Sequence, residues 1–411
     1  MSGTVVTART APASATCAAG RPTESFAVGL LRRMLEIPST SYEEGALAEF
    51  LVRSMRELGF DARVDEAGNA VGEFVHGGPA AAEGPTVMLL GHMDTVSGEV
   101  PVQARDGLLY GRGAVDAKGP LAAMICAAAA AERFTGRIVV VGAVEEETSL
   151  SRGAVHVRRT HRQPDALIIG EPSGWDTAVL GYKGKLDLVY EVECAATHPS
   201  NPEPKASELA AACWAQLLDL LGPDAGHGSF DRPGPTLETI TGDMTSARAE
   251  ISVRTPPGFD HDGLVASLSE RMPQGRVRVL NAVGAVRVGR TDPVVRALSA
   301  AIRGQGARPG AKVKTATSDM NTLAESWRIP MATYGPGDSK LDHSDQEHIV
   351  LSDYLNGIEV LTDALHELSG TLRPARHAAG AAPAVPEAPA VTAVTAVTAV
   401  PERKPTTGEQ Q

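Results

Sequence analysis

Cysteine is scarce in this chain. There are four in 411 residues, Cys17, Cys126, Cys194 and Cys213, and no C-x-x-C pair. That excludes a disulfide scaffold and a thiolate zinc finger, and it suits a reducing compartment, so a cytoplasmic location is expected. Long apolar runs are missing as well. No stretch approaches the length of about 18 apolar residues that a transmembrane helix needs, so no membrane association is expected. The opening MSGTVVTARTAPASATCAAG ends in small residues but lacks the apolar centre of a secretory signal. Positive charge is in deficit: 38 Lys+Arg against 50 Asp+Glu gives a net charge of −12. No nucleic-acid partner is therefore expected on the basis of net charge, although a local basic patch is compatible with it.

What is present reads as an ordinary globular protein, 43% hydrophobic and 21% charged. At roughly 150 residues per domain the length suggests two to three domains. Both ends read as disordered tails, residues 1–20 being small and polar and residues 373–411 holding the low-complexity run AVTAVTAVTAV. Between them, SFAVGLLRRMLEI and Glu43 to Leu58 have helical spacing, with Gly59 as a C-terminal stop. TVMLL (86–90), RIVVVGAV (137–144) and DALIIG (165–170) read as buried strands, and GPLAAMICAAAAAERF (119–134) as an Ala-rich helix. This alternation predicts an α/β domain with a mostly parallel sheet, covering 21–183 and resuming over 290–372. Its second part reads as a helix over 294–306, strands at AKVKTAT and IPMATYG, and a closing helix from Leu351. The stretch 184–289 has a strand-helix-strand-strand-helix-strand order, which predicts an inserted ferredoxin-like α+β domain.

Three of the apolar strands run into side chains that can bind metal. LLG leads to His92, with Asp94 two residues on; VVVGAV leads to Glu145, Glu146 and Glu147; LIIG leads to Glu171. In an open α/β sheet, ligands gather beyond the carboxyl ends of the strands. GRGAVDAKGP places Asp116 in a Gly-rich turn before a helix, and YGPGDSKLDHSDQEH places His343 in a polar loop. Taken singly, each has a bland explanation as turn chemistry or a solvated face, and so has the Arg158, Arg159, His161, Arg162 cluster. The repetition at successive strand ends is what carries weight. Histidine and carboxylate without thiolate suit Zn²⁺, Co²⁺ or Mn²⁺. Two histidines and three carboxylates exceed one open catalytic zinc, but they suffice for a pair of metals about 3.5–4 Å apart that share a bridging carboxylate.

GHMDTV, GRGAVDAKGP, the EEE triplet, IGEPSG, THPSNPEP and GPGDSKLDHS stand in the order and spacing of a known family. The chain resembles the di-zinc amidohydrolases and exopeptidases that include acetylornithine deacetylase, succinyl-diaminopimelate desuccinylase, aminoacylase and carboxypeptidase G. The resemblance runs from about Ser25 to Ser369. Within the family, GHMDTVSGEVPV, GYKGK and YGPGDSKLDHS look most like the LysK type, which releases lysine or ornithine from an amino-group carrier protein.

The resemblance implies two divalent metals per chain, zinc foremost with cobalt as the alternative. His92, Asp116 and Glu171 would hold one, and Asp116, Glu147 and His343 the other. It implies Asp94 as the carboxylate orienting His92 and Glu146 as the general base, with Glu145 standing where the family's triplet usually begins with Asp. It implies a cis peptide after Asp116. It also implies a homodimer in which His198 crosses to the partner's active site, completing an oxyanion site there. Arg254 is a candidate for the substrate carboxylate, with Ser318 and Gly337 near the same pocket. The implied reaction is hydrolysis of an amide or isopeptide bond on the C-terminal glutamate of a small acidic carrier protein. The alternatives are an N-acyl amino acid deacylase or dipeptidase acting on small molecules, and a binding protein that retains the metal site without the chemistry.

Overall fold

The computed structural model describes residues 21–78, 81 and 83–373. Cys17 and, but for Arg373, both expected tails lie outside them. In the central strands, alternate side chains go to opposite faces, as the pleat demands. From Thr86–His92, Gly136–Ala143 and Ala166–Gly170, one face takes Val87, Leu89, Ile138, Val140, Ala166 and Ile168. The other takes Met88, Leu90, Val139, Val141, Leu167 and Ile169. Both faces are apolar because both are covered, which is why these strands read as unbroken hydrophobic runs.

Thr86–His92 lies between Gly136–Ala143 and Ala166–Gly170 and is parallel to both, with Leu89 level with Val140 and Ile168. Met331–Thr333 continues the parallel set beside Ala166–Gly170. The margins are antiparallel: Ala70–His76 and then Asp61–Val64 on one side, Thr177–Tyr182 and Val286–Arg287 on the other. The helices Glu24–Glu36, Gly45–Glu57, Lys118–Ala130, Pro293–Gly304 and Leu351–Thr371 pack the first face. The thinner second layer holds Arg152–Thr160 and Asp319–Ala324. Every residue of Lys118–Ala130 is buried. Alanine allows this helix to lie close to both sheet and helices, and its only charged side chain, Lys118, donates to the carbonyls of Met34 (3.1 Å) and Ile37 (2.9 Å). A small sheet of Gln103–Arg105, Leu108–Tyr110 and His348–Val350 brings the segment after His343 back beside the segment before Asp116.

Gly184–Glu193, Gly234–Gly242, Ser246–Thr255 and Arg276–Val283 form a separate four-stranded antiparallel sheet. In spatial order it runs 234–242, 246–255, 184–193, 276–283. Its apolar side packs on Ala206–Leu221 and His261–Arg271 in a core of its own. The α/β fold with a mostly parallel centre is therefore as expected. Several details differ. The Ala-rich helix ends at Ala130, before the expected 134, because the chain turns to bury Phe134 and enter the next strand. The strand expected over AKVKTAT stops at Lys314, and its last residues form a loop. Among the described residues no helix is long and apolar enough to cross a membrane.

Two glycines give opposite expectations. Gly29 lies inside a helix with nothing within 4 Å of an added Cβ, so Gly29→Ala should stabilise the protein by about 0.5–1 kcal/mol. Gly357 is covered by the Pro336 ring, which a Cβ would meet at 2.9 Å, so Gly357→Ala should cost about 1–3 kcal/mol. Urea denaturation of both variants measures the difference, and equal midpoints would contradict the packing described.

Candidate metal centre

His92 ends its strand and is buried, 1% exposed. Its Nδ1 lies 2.9 Å from the carbonyl of Asp94, which fixes the tautomer with the proton on Nδ1. Nε2 is left facing Asp116 Oδ1 at 3.2 Å and Glu171 Oε1 at 3.7 Å. Glu171 follows the strand Ala166–Gly170, so two parallel neighbours deliver both groups to one edge.

The next strand over, Gly136–Ala143, leaves the sheet with its backbone donors still to be satisfied. Side chains do this one after another. Val144 N–H donates to Asn69 Oδ1 (3.0 Å) and Glu145 N–H to Glu44 Oε1 (3.0 Å). Glu146 N–H and Glu147 N–H donate to the two oxygens of Asp94, each at 3.0 Å. Ser41 donates to the same carboxylate at 2.8 Å. The Asp94 carboxylate thus serves chiefly the glutamate triplet, while His92 rests on the Asp94 backbone; its ring lies 3.5 Å from the carboxylate. The three glutamates then diverge. Glu145 pairs with Arg152 at 2.6 Å, and Glu147 Oε1 sits 3.0 Å from His343 Nε2. Glu146, partly buried, lies within electrostatic reach of Glu171 and His92.

Asp116 occupies a turn with a cis peptide to Ala117. Its Oδ1 faces His92 and its Oδ2 lies 3.2 Å from His343 Nε2. Two groups share it: His92, Asp116 and Glu171, and Asp116, Glu147 and His343. Within each group the ligand atoms lie within 4.8 Å of one another. The donors are imidazole nitrogen and carboxylate oxygen, which fits divalent first-row ions.

The protonation equilibria register the crowding. Burial, reinforced by the charge of Glu171, pushes Glu146 well above the usual carboxylate range. Burial and then Asp116 push Glu171 up to about 8. Burial, partly offset by His92, also raises Glu147. Asp116 goes the other way: burial would raise it, but hydrogen bonds with His343 and His92 outweigh that and hold it far down. His343 is pushed up to about 9, chiefly by its hydrogen bond to Asp116. Burial opposes protonation of His92, yet Asp116 and Asp94 lift it well above the ordinary histidine value. Cations are what such a set of oxygens favours.

The remaining expected residues are distributed differently. Arg254 donates to Thr317 Oγ1 at 2.7 Å and feels the charge of Glu146. Ser318 caps the helix Asp319–Ala324, its hydroxyl accepting from Met320 N–H at 3.2 Å. Gly337 has φ +122, and a Cβ there would meet Val115 at 2.9 Å, so the residue permits close approach to the Asp116 turn. His198 is exposed in the loop before Ala206–Leu221, and its ring nitrogen pairs with Ser200 at 2.7 Å; among the described residues it belongs to neither ligand group. Arg158 turns inward onto the Thr322 carbonyl and Glu325, which leaves Arg159 and Arg162 exposed. Reasoning from sequence missed Glu44, Asn69, Asp319 and Glu347. Asp319 is 1% exposed, neither of its oxygens makes a regular hydrogen bond, and burial pushes it up to about 7. Glu347, four residues after His343, carried the clearest available signal: an acidic residue in the same loop.

Residues 88–367 match Peptidase family M20/M25/M40. The chain is 42% identical over 366 residues to a LysW-lysine hydrolase from Deinococcus radiodurans, across 85% of this chain and 99% of that protein. It is 30% identical over 288 residues to a LysW-lysine/LysW-ornithine hydrolase from Saccharolobus islandicus, across 69% of this chain and 81% of that one. A tripeptidase structure from Staphylococcus aureus has a TM-score of 0.72 at 19% identity, across 85% of this chain and 99% of its own, a likeness of fold. The chain belongs to Peptidase family M20/M25/M40 and is a metal-dependent hydrolase of that class.

Asp94→Ala strands three donors, Ser41, Glu146 N–H and Glu147 N–H. It should lower stability by about 3 kcal/mol in denaturant titrations of metal-free protein. A loss below about 1 kcal/mol would mean that the triplet holds its shape without this anchor.

Proposed function

We propose that this enzyme releases lysine, ornithine or a related amino acid from the C-terminal glutamate of a small amino-group carrier protein by hydrolysing a γ-glutamyl amide. The observation that carries this reading is the 42% identity, spanning 99% of a LysW-lysine hydrolase, in a chain whose two ligand groups meet at Asp116. His92, Asp116 and Glu171 would hold one divalent cation and Asp116, Glu147 and His343 a second, Zn²⁺ or Co²⁺ by donor chemistry. Bound there, the two cations supply Lewis-acid polarisation of the scissile carbonyl and a lowered water pKa. Glu146 takes a proton from the attacking water as the new C–O bond forms. It returns that proton to the amine nitrogen as the C–N bond breaks. The commitment of Glu145 to Arg152 supports Glu146, rather than its neighbour, as the base. Asp94 positions Glu146 by its backbone. Arg254 takes the carboxylate of the amino acid, with Ser318 and Gly337 shaping the loops beside it.

In this reading 184–289 is the dimerisation and lid domain inserted into a catalytic domain of 21–183 and 290–372. His198 acts across the homodimer, which its exposure permits, and shares the developing oxyanion charge. Exposed Arg159 and Arg162 are available to attract an acidic carrier. The reaction belongs to the cytoplasm.

Zinc- or cobalt-loaded protein offered a carrier peptide bearing γ-linked lysine, beside N-acetylornithine, should cleave the carrier peptide in preference. Turnover of N-acetylornithine alone would overturn the carrier reading in favour of a small-molecule deacylase. Glu146→Gln should keep its metal by elemental analysis and lose about 10²–10⁴-fold in kcat; near-normal turnover would remove Glu146 from the role of base. His198→Ala should be slow yet dimeric, and mixing it with Glu146→Gln should restore part of the activity through hybrid dimers. No recovery would place His198 outside the partner's site.

A further inference from the structure

Glu347 belongs to neither ligand group, yet its side chain is 1% exposed. Its Oε1 accepts from Val115 N–H at 3.0 Å and Asp116 N–H at 3.2 Å. Its Oε2 accepts from Gly113 N–H at 3.0 Å and from Arg112 Nη1 at 2.9 Å. Four donors from one turn converge on one carboxylate. The same Arg112 Nη1 also donates to the carbonyl of Ser344 at 3.1 Å, one residue past His343. Glu347 N–H returns to that carbonyl at 3.2 Å, and the Glu347 carbonyl accepts from Gly111 N–H at 3.3 Å. Two loops from distant parts of the chain are stitched together here.

The stitching matters because of what these loops carry. One ends in Asp116 and the other presents His343, with 3.2 Å between Oδ2 and Nε2. Residues 111–116 lie in a turn outside strand and helix, so no ladder supplies acceptors for their N–H groups. Glu347 supplies them. Its hold on the Asp116 N–H limits rotation about the backbone from which the Asp116 carboxylate projects. A ligand that serves two cations has little angular freedom, since each oxygen must keep its own direction. Partners behind metal ligands commonly set affinity by about 10–100-fold.

We propose that Glu347, braced by Arg112, is a positioning residue that orients Asp116 toward both ligand groups and ties its turn to the His343 loop, thereby setting the affinity of the paired cation site. This rests on the two-cation reading above. Glu347→Gln keeps the size of the side chain but turns an amide NH₂ toward donors. Zinc affinity by competition with a chromophoric chelator, and the visible spectrum of the Co²⁺ form, report on the site apart from turnover. The expected result is two tightly held cations in the wild type. In the variant the weaker-held cation should lose about 10–100-fold in affinity, the Co²⁺ spectrum should change, and kcat should recover as zinc is raised. Unchanged affinities and spectrum, with only a lower melting temperature, would overturn the proposal and leave Glu347 a purely structural group. Should the Gln variant fail to fold, Arg112→Lys keeps the charge but cannot span both Glu347 and Ser344. A several-fold loss of zinc affinity is expected of it, and none would overturn the proposal. A wild type without paired cations overturns the two-cation reading itself, whereas two cations held equally well by variant and wild type overturn this inference alone.

Discussion

Negative charge crowded where water is sparse is the constraint from which the rest of the site follows. Asp116, the adjacent Glu146 and Glu147, and Glu171 arrive from three separate segments at one edge of the sheet, and burial or mutual repulsion lifts three of the four above the ordinary carboxylate range. Carboxylates here divide into two kinds by what faces them. Glu44, Asp94 and Glu347 face backbone N–H groups, which supply donors to their oxygens. Asp116, Glu147 and Glu171 face histidine nitrogens and one another. The first kind builds a rigid frame from the backbone. The second is held by that frame in an arrangement that is costly until positive charge enters it.

That division also decides what was legible in the sequence. His92, Glu147 and Glu171 follow apolar strands, so their place at a common edge could be read before any coordinates. Asp116 and His343 were legible through the motifs around them. Of the anchoring carboxylates, Asp94 was marked by its motif, whereas Glu44 and Glu347 were marked by little beyond the nearness of Glu347 to His343. Glu44 sits near the start of a helix and Glu347 in a polar loop, and nothing in their spacing says that they reach a backbone far away in sequence. Asp94 was expected to orient His92 through its carboxylate; in the structure the His92 ring faces the Asp94 carbonyl at 2.9 Å, and the carboxylate accepts from the glutamate triplet. A side chain's partner is set by which donors the fold leaves unsatisfied, and that is a property of tertiary structure.

The same holds for the fold. Strands buried on both faces announce themselves, and so does the alternation of the four-stranded sheet. The marginal strand Ala70–His76 mixes glycine, glutamate and valine, and its histidine is buried against the Ala128 carbonyl at 2.7 Å; its place in the sheet comes from pairing with Gly136–Ala143. The Ala-rich helix was read too long because alanine favours helix through residue 131, whereas the structure spends the next residues on burying Phe134.

The two sheets meet through polar contacts. Asn321 donates to the carbonyls of Lys183 and Gly284, both at 2.9 Å, and so clasps the two crossings between them. Arg254 reaches Thr317, and Asn281 reaches the Ser149 carbonyl at 2.8 Å, beside the glutamate triplet. Among the described residues, the buried core of the smaller sheet is distinct from those of the larger one. Hydrogen bonds of the kind that link the two sheets are worth about 1 kcal/mol net each. Contacts of that size can be exchanged when a ligand makes better ones. They are made close to the candidate site: the Thr317–Asn321 segment carries Ser318 and Asp319, and the Ser149 loop follows Glu146 and Glu147. The contacts that join the two sheets thus lie within two residues of Glu147 on one side and of the buried Asp319 on the other.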